Sequence, residues 1–408
     1  MRTVVIGAGL AGLVAANRLL DAGRTVTVVA KGVGGMVLSQ GTIDVLGQLD
    51  GRVERPFDAF DALPDGHPYR TLDADHVRGS LRWLRELVDL EGDLETNLLL
   101  PTAVGALRPT LLAPPSLAGA DARRATSFAV VGVRQLKDFP ADLLAGNLDR
   151  TEVDGRHLRA TSSWISFEPR PGEEDPTTVH FANALDDPAA LDRFAQQVAA
   201  AAGDADVVLV PGVVGRNDRG LWARFRQRVA RPVAEVSMQP PNIPGLRLGE
   251  ALLARARELG ARHIQGSFVT GYEADGDRVT GVVVASAGRT RTIACDAVVH
   301  APGGFESGAL RVDSHGAIDE RVFGLPLTAD RVEGLVHRDP VAPQPLFEVG
   351  VRADDRMRPV ADERPVFDNL HVAGGILAGA QRAHEKSGDG IAVASAVRAA
   401  DAILEGSL

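Results

Sequence analysis

Three glycines near the amino terminus carry the first chemistry. Gly7 and Gly9 lie between a β-branched run at residues 3–6 and a stretch of helical spacing at 10–22 that contains Gly12 and stops at Gly23. Glycine at those positions lets the backbone turn tightly and come close to a phosphate. The phosphate charge then meets the unpaired N–H groups at the start of the helix. A second apolar run at 25–29 follows at once. Strand, glycine turn, helix and strand within about 30 residues is the setting in which this spacing marks a dinucleotide site. One position departs from it. The second strand of such a site ends in a carboxylate that accepts hydrogen bonds from the adenosine ribose. Here Ala30 and Lys31 stand there. The ligand either has no standard adenosine half or has that half held differently.

The elements that would position this chemistry run through the whole chain. Residues 32–47 are too glycine-rich for a helix. In an open α/β sheet they fall at the carboxyl edge, where Ser39, Gln40, Gly41, Thr42 and Asp44 offer hydrogen bonds. Apolar spacing predicts a helix over 75–90, capped by Asp73 or Asp75. It predicts further helices over 138–148, 187–202 and 218–229, and strands at 98–112, 128–133, 156–167 and 206–210. This middle part is mixed α/β without a second phosphate loop. A helix at 248–259 then leads into strands near 263–264, 267–274, 278–286 and 289–293, with hairpin turns at Asp275-Gly276-Asp277 and Ala287-Gly288. A buried-type strand at 296–300 closes on Ala301-Pro302-Gly303-Gly304. The last strand runs into Gly374-Gly375, and Gly388-Asp389-Gly390 opens a helix at 391–404. The expected division is a nucleotide domain at 1–50, 245–310 and 365–408, an inserted cap or substrate domain at 51–244, and a loop-rich segment at 311–364.

Composition narrows the function. The chain has 408 residues, 45% hydrophobic and 24% charged, with a net charge of −10. No Lys/Arg-dense block is present, which argues against nucleic acid as a partner. Cys295 is the only cysteine. One thiol can make no intrachain disulfide, zinc ribbon or iron–sulfur cluster, so no metal site is expected and any iron–sulfur relay must sit on another chain. A lone thiol also fits a reducing, cytoplasmic compartment. No uncharged apolar run of about 18 residues exists, so no direct membrane span is expected.

Three separated pieces form one constellation: Gly7-Ala8-Gly9-Leu10-Ala11-Gly12, the strand closing on Gly303-Gly304, and Gly374-Gly375 with the Gly388-Asp389-Gly390 helix. The constellation resembles the two-dinucleotide-binding-domain flavoproteins of the fumarate reductase and succinate dehydrogenase type. Within that group the chain resembles the B-subunit family of the anaerobic glycerol-3-phosphate dehydrogenases. The stretches that carry this are SQGTIDVLG (39–47), HPY (67–69), FAVVGVRQLKDF (128–139), VHFANALDD (179–187), LVPGVVGRNDRGLW (209–222), MQPPNIPGLRLGEAL (238–252), APQPLFEVGVRADDRMRP (342–359) and FDNLHVAGGILAG (367–379). They run in order over nearly the whole chain.

The resemblance implies a Rossmann-like α/β flavoprotein fold with an inserted mixed α/β cap. It implies a complex that oxidises sn-glycerol 3-phosphate to dihydroxyacetone phosphate and passes electrons to a quinone. A companion subunit would carry FAD, and a cysteine-rich iron–sulfur subunit would hold the assembly peripherally at the membrane. FMN is the cofactor it implies for this chain, consistent with Ala30 and Lys31, since FMN has no adenosine ribose; FAD is the alternative. Flavin binding is expected at Gly7, Gly9, Leu10, Ala11, Gly12, Ala30, Lys31, Ser39, Gly41, Thr42, Gly303, Gly304, Gly374, Gly375, Gly388, Asp389 and Gly390. A positive helix end at the flavin pyrimidine would stabilise its reduced anion.

Oxidising an alcohol also needs a base for the hydroxyl proton, and the substrate phosphate wants Arg or Lys. His300 is the candidate base nearest the motifs, with His67 and His384 in loops. Arg134, Arg216 and Arg247 are the candidate anion binders, while His180 and His315 read as structural or surface residues. No Ser/His/Asp order, H-E-x-x-H or P-loop is present. Two functions remain open: substrate oxidation at this chain's own flavin, or electron transfer and assembly with hydride transfer on a companion. A standalone reductase acting on another small anion is a third.

Overall fold

The computed structural model describes residues 1–218 and 220–406. Arg219, inside the expected 218–229 helix, and Ser407 and Leu408, at the end of the expected third segment of the nucleotide domain, lie outside the described residues. Strand β1 (Arg2–Ile6), helix α1 (Leu10–Asp21) and strand β2 (Thr25–Ala30) follow one another directly. Thr3, Val4, Val5 and Ile6 are all buried, as in a central strand covered on both faces. Helix α2 (Ala74–Leu87) starts at Asp73, whose carboxylate accepts from the His76 N–H at 2.8 Å. That is one of the two caps expected.

The inserted region builds its own sheet from β3 (Ser127–Val133), β4 (Arg159–Ile165), β5 (Val207–Pro211) and β6 (Val233–Val236). Its order is β6-β5-β3-β4, every neighbour parallel. Helix α3 (Ile243–Glu258) returns the chain to the first domain. Strand β7 (Arg262–Gln265) follows, then a meander of β8 (Phe268–Asp275), β9 (Arg278–Ser286) and β10 (Arg289–Ala294), then β11 (Ala297–His300). After a loop-rich stretch, β12 (Leu370–Val372) and helix α4 (Gly388–Glu405) complete the fold.

The main sheet has the order β7-β2-β1-β11-β12, again all parallel. Its register pairs Ile6 with both Val29 and His300, and His300 with Val372. The chain therefore leaves four strands at one edge, at Gly7, Ala30, Ala301 and Ala373. All the glycine turns meet at that carboxyl edge, where open α/β sheets bind ligands.

Asn17 ties α1 to α3. Fully buried, it donates from Nδ2 to the carbonyls of Leu13 and Leu252, at 2.8 and 2.9 Å, and accepts from Arg255 at 3.1 Å. A buried amide with such partners costs little to desolvate and fixes the register of the two helices.

Two boundaries differ from expectation. The second hydrophobic core begins at Leu98, whereas Phe57, Tyr69, Leu81 and Leu94 belong to the first. The cap is thus shorter than residues 51–244, because α2 packs on α4: His76 Nε2 lies 2.9 Å from the Ala394 carbonyl. Helix α3 starts at Ile243 instead of 248. Ile-Pro-Gly reads locally as a turn, but Pro244 sits in the first helical turn, where its missing N–H is harmless. Gly245 is required there: a Cβ would lie 2.2 Å from the Ser39 carbonyl oxygen and 2.3 Å from that of Met36. The 138–148 helix likewise begins only at Ala141, after Pro140. Among the described residues, no helix is long and apolar enough to cross a membrane. Nor do three or more His, Cys, Asp or Glu among them group to hold a metal ion.

Candidate functional site

The glycine turn divides its labour among three residues. Gly7 has φ +106°, and a Cβ there would lie 2.1 Å from the Ala301 carbonyl oxygen. Gly12 lets α1 press on the turn, since its Cβ would fall 2.0 Å from the Gly7 carbonyl oxygen. Gly9 is different: the nearest atom to a Cβ there is Gly35 N, at 3.9 Å. Gly9 caps α1 without any side-chain hydrogen bond, and the first turn holds no acidic residue. The helix N-terminus therefore faces open space with its first N–H groups and positive dipole end available to an anion.

A cavity of about 580 Å³ opens over that turn. Gly7, Gly9, Leu10 and Ala11 form one wall, Ala30 and Lys31 the next, Gly303 the third, and Gly374 with Gly375 the fourth. These are nine of the residues expected to hold a flavin. The other eight stand elsewhere. Gly12 is sealed under the turn and Gly304 lies just behind Gly303. Ser39 accepts the Gly41 N–H at 3.1 Å, and Thr42 donates to Asp44 Oδ1 at 3.2 Å. Gly41 is pressed onto Pro244 and lines a separate cavity of about 260 Å³ between the domains.

The start of α4 is not open. The Gly390 N–H donates to the Asp44 carbonyl at 2.9 Å, and a Cβ on Gly390 would lie 2.3 Å from Tyr69 Oη. Gly388, Asp389 and Gly390 thus pack against the chain itself, with Ala392 the α4 residue that reaches the cavity. Burial, and then the neighbouring Asp44 carboxylate, push the Asp389 carboxyl up to about 7, with Arg108 acting the other way. Arg108 itself is ion-paired to Asp44.

The cavity has lining that the motifs did not mark: Gly32 to Gly35, Leu38, Pro302, Glu306 and Ser307 among others. Glu306 accepts the Gly304 N–H at 3.1 Å and lies 3.6 Å from Arg382, which donates to the Gly375 carbonyl. One ion pair so links two of the glycine turns. The glycine-rich composition of 32–35 was the available signal for that wall; nothing local marks Glu306.

None of the candidate catalytic residues lines this cavity. His300 is fully buried, with Nε2 3.0 Å from Glu320 Oε1. Glu320 also accepts the N–H groups of Val322 and Phe323, so the pair holds the 320–325 loop on the sheet. Burial opposes the charge on Glu320, yet the bonds from His300 and those N–H groups keep its carboxyl below the usual range. His67 accepts the Tyr69 N–H at Nδ1, 3.1 Å, so Nε2 carries the proton and donates to Glu385, also 3.1 Å. It lines a third cavity, of about 480 Å³, with Glu348 and Arg352. His384 and Arg134 are exposed. Arg247 lines the interdomain cavity and pairs with Glu235 at 2.5 Å, donating also to Ser116 at 3.0 Å. Arg216 bonds Asn183 at 2.9 Å. The histidines and arginines therefore do not converge on one point.

A further cavity of about 420 Å³ continues past the end of β2 and shares Gly7, Ala30, Lys31, Pro302 and Ser307 with the first. Two adjoining spaces, one over a helix N-terminus with no acid in its first turn, fit a phosphate-bearing flavin.

Comparison with known proteins bears on the same chain. Residues 2–391 match the model of the FAD binding domain. A Halobacterium salinarum protein, named as a probable B-subunit of anaerobic glycerol-3-phosphate dehydrogenase, is 32% identical over 98% of this chain and 97% of its own. The Vibrio cholerae protein named as the B-subunit of the same dehydrogenase is 30% identical over 98% and 95%. Among solved structures, a flavocytochrome c3 fumarate reductase in its open conformation aligns with a TM-score of 0.45 at 12% identity, over 100% of this chain and 78% of its own.

Proposed function

The chain belongs to the FAD-binding-domain flavoproteins and, among them, to the B-subunit family of anaerobic glycerol-3-phosphate dehydrogenase. From that premise we propose that it is the flavin-carrying subunit of a complex oxidising sn-glycerol 3-phosphate to dihydroxyacetone phosphate, with electrons passed on to a quinone. The observation that carries the proposal is the shared cavity into which Gly9, Gly303 and Gly375 all open, in a chain that matches this family over nearly its full length.

The residues present suit the flavin. The N–H groups at the start of α1 would hold its phosphate, approached through the open face at Gly9. Gly303, Gly374 and Gly375 line the cavity where the planar ring would lie. When bound, the flavin supplies the hydride acceptor. The family's domain name and the second cavity beyond Ala30 both favour FAD; FMN would leave that second space without an occupant. The companion chains proposed are one reacting with substrate and one cysteine-rich iron–sulfur chain. The latter would hold this chain peripherally at the cytoplasmic face of the membrane.

A second reading has its own observation. None of the candidate catalytic and anion-binding residues lines the flavin cavity; His67 lines one other cavity and Arg247 another. That favours electron transfer and assembly here, with hydride transfer on the companion. Denaturing the holoprotein and identifying the released flavin by chromatography tests the cofactor, and FAD is expected. Stopped-flow reduction of the flavin-loaded chain by glycerol 3-phosphate separates the two readings. Bleaching at the turnover rate of the complex supports oxidation on this chain; no bleaching without the companion supports the second.

A further inference from the structure

The cavity between the domains is not used by the flavin, and its walls have a definite chemistry. Val88, Leu90 and Leu248 come from the first hydrophobic core and Trp222 from the second, so it lies on the seam of the two. Small-molecule sites favour such seams and are lined mainly by apolar side chains, with a few polar groups to orient the ligand. Pro114 and Pro115 extend the apolar wall. Two charged side chains complete it, one from each domain: Asp89, just after α2, and Arg226, on the helix Gly220–Val229. Both are exposed, and among the described residues neither side chain has an ion-pair or hydrogen-bond partner. Arg247, the other cation of the lining, is already paired with Glu235. At about 260 Å³, below the ~300–1,000 Å³ of drug-sized sites, the space suits a compact metabolite. The cavity also adjoins the support of the flavin site. Gly41 lines it, while Gly35 and Leu38 of the same loop line the flavin cavity. The start of α3 holds that loop: the Asn242 N–H donates to the Val37 carbonyl at 2.9 Å, and a Cβ on Gly249 would lie 2.9 Å from Met36 Cβ. Pro244 and Leu248 of that helix line the interdomain cavity.

We propose that this cavity is an effector site for a small α-amino acid with an apolar side chain. That side chain fills the space between Trp222, the two prolines and Leu248. The ammonium goes to Asp89 and the carboxylate to Arg226, so each domain holds one end of the ligand. A simple anion would leave Asp89 facing a like charge, and a simple amine would do the same to Arg226; a zwitterion answers both. A ligand held by both domains keeps α3 seated on residues 36–41, because close-packed groups pass a shift on instead of absorbing it. Its binding therefore raises flavin affinity, and by linkage flavin raises its affinity by the same factor. The binding site stands on the cavity alone, whereas the coupling rests on the flavin reading above.

Calorimetric titration of the flavin-free full-length chain with L-leucine tests the site. Leucine is expected to bind about tenfold more tightly, or better, than 4-methylpentanoate, which lacks the ammonium, and than 3-methylbutylamine, which lacks the carboxylate. Glycine, with no side chain to bury, is expected to bind more weakly by about tenfold or more. Asp89→Asn is expected to abolish the preference over 4-methylpentanoate, and Arg226→Gln the preference over the amine. Both positions are exposed, so thermal melting of the variants should match the parent. Saturating leucine is expected to tighten flavin binding by about fivefold in a fluorescence titration. Absence of leucine binding overturns the site, as does equal binding of the two analogues or a preference that survives in both variants. Leucine binding that leaves flavin affinity unchanged overturns the effector role. If leucine binds and no flavin does, the flavin reading falls while the site stands, so the two failures are distinguishable.

Discussion

The Gly390 N–H donates to the carbonyl of Asp44, 2.9 Å away, and the Asp44 N–H lies 3.3 Å from Asp389 Oδ2. The amino end of α4 is therefore closed by the loop that follows β2. This contact brings two acids together beside a helix start. Burial and then the Asp44 charge raise the Asp389 carboxyl to about 7.

A raised carboxyl favours the folded state when protonated. Its contribution is fully present below its unfolded value of about 3.9 and is lost as pH rises through about 7. Stability should therefore fall between those limits, by an amount that Asp389→Asn removes. Melting temperatures of both proteins across that range check this. Parallel curves for the two would refute it.

Gly7 and Gly9 separate folding from binding. Gly7→Ala places a methyl group against the Ala301 carbonyl in a φ +106° conformation and is expected to destabilise by several kcal/mol. Gly9→Ala meets nothing closer than 3.9 Å. It should melt within a few degrees of the parent yet lose flavin affinity by about tenfold, because its methyl enters the anion cradle. Equilibrium melting and flavin titration on the two variants show the contrast.

His300 and Glu320 should behave as a structural pair. Glu320→Ala leaves a buried His300 without its acceptor and frees the N–H groups of Val322 and Phe323. A loss of about 3–5 kcal/mol in urea unfolding is expected. In the wild type this support is present above the unfolded Glu value and is lost as pH falls through the lowered folded one. His300→Gln should lower stability without moving the pH profile of turnover in the assembled complex. A profile that flattens would identify His300 as a base instead.

Cys295 is buried, and its thiol is pushed up to about 11 by that burial and by the adjacent Asp296. The thiolate is the reactive form. The native chain should stay unmodified by iodoacetamide at neutral pH and react only in denaturant, as mass spectrometry would record.

The nucleotide unit is legible because its signals are local. Gly7, Gly9 and Gly12 stand within one turn and one helix start, and the β-branched runs on either side declare their strands by composition alone. Asp73 as a cap and the hairpin at Asp275-Gly276 are readable for the same reason: each is decided within four or five residues. The start of α3 is not legible, because Pro244 and Gly245 are turn-formers by propensity. The close approach of the Ser39 and Met36 carbonyls, which makes glycine necessary at 245, comes from a distant part of the chain.

By itself, the sequence determined which glycines could turn, which runs would be strands, and that no carboxylate follows β2. Tertiary structure alone decided that Gly9 is open while Gly12 is filled, and that Gly390 is closed by Asp44. It also set His300 on Glu320, and Asp89 and Arg226 at one interdomain cavity. Such contacts join residues from distant parts of the chain. They are set by how the helices and sheets pack, and no short-range pattern of residue types encodes that packing.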